Sequence, residues 1–76
     1  MKFSEILIGL RKENKVSAND LALSLNFTKN AIYEWEHDRS QPNIETLKKL
    51  ADYFNVSIDY LVGRTDDEYA VPTVPQ

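Results

Sequence analysis

Ser17, Thr28, Asn43 and Ser57 each stand directly before apolar residues at helical spacing, and Asn26, Asn55 and Gly63 each stand directly after such a run. Short polar side chains before a helix accept hydrogen bonds from its first free N–H groups, while Asn and Gly after it take the left-handed conformation that ends it. No stretch alternates convincingly between apolar and polar residues as a half-buried strand does. This punctuation predicts an all-α fold made of short helices.

Five helices follow. Helix 1 is expected from about Ser4 to Glu13, with Ser4 as N-cap, Glu5 in the first turn, and Phe3, Leu7 and Leu10 along one face. Helix 2 starts after Ser17, turns Leu21, Ala22 and Leu25 inward, and stops at Asn26. Helix 3, about Lys29 to His37, is capped by Thr28 and buries Ile32 and Trp35, with Phe27 placed to pack against its start. Helix 4 follows the DRSQP loop behind Asn43 and carries Ile44, Leu47, Leu50, Ala51 and Phe54 at helical spacing. Helix 5 follows Ser57, carries Ile58 and Leu61, and ends at Gly63.

At 76 residues the chain supports one hydrophobic core, and with no cysteine it has neither disulfides nor thiolate metal sites to staple it. Packing must supply the stability. No apolar run approaches the ~20 residues of a membrane span and no secretory signal is visible, so a cytoplasmic protein is expected. The net charge of −3 argues at first against nucleic acid, but its distribution weakens that objection. All nine basic residues precede Thr65, where nine acidic ones balance them; Asp66, Asp67 and Glu68 supply the whole deficit. Residues 1–64 therefore read as the domain, and residues 65–76 as an acidic, proline-containing flexible tail.

The informative constellation is the pair of short helices within residues 17–37. Ala22 is small where they would cross, Asn26 makes the turn, and Phe27, Ile32 and Trp35 fix the second helix to the core. Lys29, Asn30, Tyr33 and Glu34 are left on outward faces. Across roughly Phe3 to Arg64 the chain resembles the phage repressor and Cro-like helix-turn-helix regulators, also called the xenobiotic response element type. The resemblance rests on FSEILIGLRKENKVS, LALSLNFTKNAIYEWE, RSQPNIETLKKLADYFNVS and SIDYLVGR, in that order and without a large insertion.

The resemblance implies a compact five-helix, lambda-repressor-like domain that inserts helix 3 into the major groove of a double-stranded DNA operator. The base-reading positions become Lys29, Asn30, Tyr33 and Glu34. Lys donates to guanine, Asn pairs with adenine in bidentate fashion, and Glu accepts from cytosine N4. Backbone contacts are implied for Asn19, Thr28, Arg39, Ser40 and Gln41. Arg11 and Glu36 match positions that form a structural ion pair. His37, the only histidine, reads as a helix-end residue that could assist phosphate binding. No metal site or cofactor is implied.

Several residues depart from the family pattern. Ala18 stands where the family often has a Gln that reaches phosphate, leaving Asn19 as an imperfect substitute. Ile6, Ile8 and Leu23 are apolar where relatives are usually polar, and Ile8 is expected to be exposed. The leading expectation is a transcriptional regulator, in particular a repressor, bound as a homodimer to two half-sites about 34–36 Å apart. In relatives the surface around the last helix, here near Tyr60 and Val62, often supplies self-association. A competing reading keeps the fold as a protein-interaction module, an antitoxin or anti-repressor, with a protein partner reached through the tail. An enzyme is the weakest alternative, because no nucleophile and base pair, phosphate-cradling glycine loop or convergent carboxylate set stands out.

Overall fold

Four of the five helices in the computed structural model start with the same hydrogen bond. Ser17 Oγ accepts from Asp20 N at 3.0 Å, Thr28 Oγ1 from Ala31 N at 3.2 Å, Asn43 Oδ1 from Thr46 N at 2.9 Å, and Ser57 Oγ from Tyr60 N at 3.0 Å. The structure describes residues 2–64, and the expected tail at 65–76 lies outside them. The helices are α1 (Phe3–Glu13), α2 (Ala18–Leu25), α3 (Lys29–Glu36), α4 (Ile44–Phe54) and α5 (Ile58–Leu61). Among the described residues there is no strand, and no helix is long and apolar enough to cross a membrane.

The first helix starts differently from the expectation. Lys2 is the N-cap, and its backbone N–H donates to Glu5 Oε1 at 3.1 Å. Ser4 lies inside the first turn, buried, and its hydroxyl bonds to the Asp38 carboxylate instead of capping the helix. Asp38 is remote in sequence, so no local pattern could assign the hydroxyl to it.

Helix ends share a second device. A left-handed residue follows each of the first four helices: Lys15, Asn26, Asp38 and Asn55, with φ of 56°, 64°, 58° and 57°. Gly63, at φ 86°, does the same after α5. The next N–H then bonds back to a carbonyl five residues earlier: Val16 to Arg11, Phe27 to Ala22, Arg39 to Glu34, Val56 to Ala51 and Arg64 to Asp59, at 2.7–3.0 Å. These bonds satisfy carbonyls that a helix end leaves open. After α1, α2 and α4 the residue making the bond is apolar, and Val16, Phe27 and Val56 pack against the core.

Each helix sends one wholly buried side chain to the centre: Leu7, Leu21, Ile32, Leu50 and Leu61. Around them pack Ile6, Leu10, Leu25, Trp35 and Phe54. Ile6 is thus a core residue and not a surface hydrophobe, and Ile8 is half-buried where exposure was expected; Leu23 is 71% exposed. Ile44 and Ile58 belong to the apolar spacing that marks their helices, yet they are 68% and 38% exposed. Both are the first residue of their helix, and side chains slant toward the helix N-terminus, so these two project past the end of the packed face. Thr46 is buried in their place.

Candidate nucleic-acid interface

The two faces of α3 differ in kind. Ile32, Trp35 and Glu36 are buried, whereas Lys29, Asn30 and Tyr33 are exposed and Glu34 is half-buried. The inward grip comes from α2, whose Ala22 is almost wholly buried, and from the Phe27 ring, which meets Trp35 edge to face at 5.4 Å. At the far end of α3, Glu36 is clamped to α1. Arg11 Nε donates to Glu36 Oε2 at 2.6 Å and Arg11 Nη2 to Glu36 Oε1 at 3.0 Å. This hydrogen-bonded carboxylate raises the Arg11 pKa, against burial, which works to lower it. The helix is thereby fixed in rotation, and its polar stripe faces away from the core.

The outward stripe is organised before any ligand arrives. Lys29 Nζ lies 5.6 Å from the centroid of the Tyr33 ring, a cation–π distance. His37 caps the C-terminus, its Nδ1 2.7 Å from the Tyr33 carbonyl oxygen, so Nδ1 carries the proton and donates. Arg39 Nη1 is 3.7 Å from Glu34 Oε2. Asn30, Tyr33, Glu34, His37 and Arg39 together line a shallow concavity of about 310 Å³. The turn that delivers Arg39 to this face depends on the left-handed Asp38. The Lys2 ammonium, donating at 3.1 Å, and then the Ser4 hydroxyl hold the Asp38 carboxyl below its usual range.

The residues expected at the site do not all come together. Arg39 joins the α3 stripe, and Ser40 is exposed beside it in the loop. Gln41 instead lines a separate concavity of about 170 Å³ with Phe3, Pro42, Leu47 and Val62. Thr28 Oγ1 is an acceptor for its own helix, yet its hydroxyl proton stays available to donate outward. Ala18 is buried, so a longer side chain at that position would start from the core side, and the exposed residue at the head of α2 is Asn19. Sequence reasoning missed Lys2, Ser4 and Asp38 as the supports of the Arg39 turn. The one available signal was an Asp directly after a helix end, a residue type tolerated in the left-handed region. Among the described residues no cluster of His, Cys, Asp and Glu could hold a metal ion.

The sequence pattern of the helix-turn-helix family matches residues 7–61, which takes in all of α2 to α5 and most of α1. The chain belongs to the helix-turn-helix family. Its relatives in that family include the HTH-type transcriptional activator BcrR of Enterococcus faecalis, 37% identical over 63 residues, 83% of this chain and 31% of BcrR. The HTH-type transcriptional regulator ImmR of Bacillus subtilis is 32% identical over 66 residues, 87% of this chain and 52% of ImmR. The chain thus spans about a third to a half of these relatives. Among solved structures, the P22 c2 repressor in complex with a synthetic operator matches with a TM-score of 0.80 and 28% identity, over 86% of this chain and 98% of the repressor. The five-helix, lambda-repressor-like architecture is therefore that of this family's helix-turn-helix domains, with α2 and α3 as the helix-turn-helix.

Proposed function

We propose that this chain is a sequence-specific reader of double-stranded DNA and regulates transcription, with α3 entering the major groove of an operator. The observation carrying this reading is the division of α3 between a clamped, buried face and an exposed polar face headed by Lys29 and Asn30. The P22 c2 repressor, solved on an operator, is matched over nearly its whole length, which supports the same use here. In this reading Lys29, Asn30 and Tyr33 meet base edges, while Asn19, Thr28, Arg39 and Ser40 meet phosphates. Gln41, turned to another concavity, is left out of the contact set.

Occupying promoter DNA is the mechanism that needs only this surface, so the regulator acts as a repressor, in the cytoplasm. A homodimer on two half-sites supplies the grip that a charge-neutral domain lacks. The test selects bound fragments from a random duplex library and then titrates the selected duplex with Lys29→Ala and Asn30→Ala. Each variant is expected to relax preference at its own base position, at a cost of about 1–3 kcal/mol. Unchanged base preference in both would sink the assignment. The exposed Leu23 and Ile44 favour a protein-interaction module as the second reading, and it takes over if random duplex is not bound even at low salt.

A further inference from the structure

Where α1, α2 and α4 end, the residue that bonds back to the helix is an apolar side chain seated on the core. At the end of α3 that position holds Arg39, and the residue it bonds back to is Glu34. The Arg39 N–H reaches the Glu34 carbonyl at 2.9 Å, and the Arg39 guanidinium lies 3.7 Å from the Glu34 carboxylate. An ion pair on the DNA-facing stripe thus stands in for the usual hydrophobic contact at a helix end. The left-handed Asp38, tied to Lys2, folds Arg39 back along α3 and keeps the two charges adjacent.

We infer that Glu34 is the counter-ion of Arg39 and restrains its use on phosphate, so that Glu34 sets the affinity for any duplex instead of reading a base. This inference rests on the DNA-reading function proposed above. A glutamate that reads cytosine must present a free carboxylate to the N4 amino group. Here the carboxylate already faces a guanidinium. To neutralise a phosphate, Arg39 must either leave Glu34 or bring a negative charge into the field of the DNA backbone, and both reduce what the contact gains. Arg39 and Glu34 side chains are 72% and 46% exposed, so the restraint is modest, about two- to fivefold in a binding constant. Glu34 in this role is a positioning residue.

The test compares wild type, Glu34→Gln, Arg39→Ala and the double variant on two duplexes, one of random sequence and one selected from a random library by the wild-type protein, across a salt series. Thermal melts first establish that each variant folds. Glu34→Gln is expected to bind both duplexes about two- to fivefold more tightly, by the same factor. Its salt slope should steepen by at most about 0.9, the value for one phosphate, because Arg39 engages its phosphate more fully once released. In the Arg39→Ala background both effects should vanish. Weaker binding of Glu34→Gln to the selected duplex alone would return Glu34 to base reading and overturn the inference. An equal gain with Arg39 absent would also overturn it, because the carboxylate would then act on phosphates by itself. A wild-type protein that binds neither duplex at low salt fails at the earlier step, the DNA-reading function.

Discussion

Arg11 and Glu36 face each other as a two-bond fork between α1 and the end of α3, 25 residues apart in sequence, with side chains only 18% and 4% exposed. The third arm of the guanidinium, Nη1, donates to the Val16 carbonyl at 3.1 Å, so the same arginine also holds the turn into α2. Removing Arg11 leaves the Glu36 carboxylate inside the protein with no cation. Arg11→Ala should therefore cost about 3 kcal/mol, near the lower end for a broken buried pair because Arg11 keeps some contact with water. Glu36→Ala should cost less, since the arginine left behind can reach solvent. The double replacement Arg11→Met with Glu36→Leu should recover much of the loss. Urea unfolding midpoints of the three proteins check the order; a double variant worse than Arg11→Ala would mean that packing, not charge, dominates the site.

Thr28 combines two roles that one substitution separates. Thr28→Ala removes the acceptor for Ala31 N and should cost about 1 kcal/mol of stability. Thr28→Asp keeps an acceptor and adds a negative charge that suits the positive end of α3, so stability should stay near wild type. On DNA that carboxylate would point at phosphates. Thr28→Asp is expected to melt normally and to bind any duplex much more weakly, a split that melting curves and binding titrations read directly.

Asp38 makes the Arg39 turn sensitive to acid. Its carboxyl is held below the usual range first by Lys2 and then by Ser4, so the folded state binds the proton less readily than the unfolded chain. The resulting stabilisation is fully present above the unfolded carboxyl's pKa of about 3.9 and is lost as pH falls through the lower folded value. Asp38→Asn keeps a side chain tolerated at φ 58° and removes the charge. Wild type should be the more stable protein at neutral pH, and the gap in melting temperature should close in acid. A gap that persists at pH 2 would assign the effect to the backbone.

Gly9 lies mid-helix in α1, and a Cβ built on it meets no atom within 4 Å. The glycine costs helix stability with no steric reason in return. Gly9→Ala should raise stability by about 1 kcal/mol, which in a domain of this size is a melting shift of about 4–8 °C. A neutral or destabilising result would indicate that this face of α1 contacts something in solution.

Ser17, Thr28, Asn43, Asn26, Asn55 and Gly63 were legible because each makes its defining bond to a group a few residues away, and local chain geometry is enough to specify such bonds. The same holds for the division of α3, since helical spacing alone puts Ile32 and Trp35 opposite Asn30 and Tyr33. Ser4 was misread as a cap for the opposite reason: its partner, Asp38, comes from the loop after α3. Ile6, Ile44 and Ile58 carry the same kind of side chain, yet one is core and two are surface. Their burial depends on which neighbouring helix covers each point, and helical spacing is silent on that.

The helix-turn-helix of residues 17–37 was thus contained in the sequence by itself, as a set of short-range hydrogen bonds and a helical stripe. The tertiary structure alone settled how that unit is held and what its charges face. Arg11 and Glu36 could be paired from a family likeness, but their burial, and with it the cost of breaking them, follows from how α1 packs against α3. Glu34 looked like a free acid on an exposed face until the turn at Asp38 brought Arg39 back beside it. Electrostatic interactions depend on distance through space and on access to water, and neither quantity exists until the chain has folded.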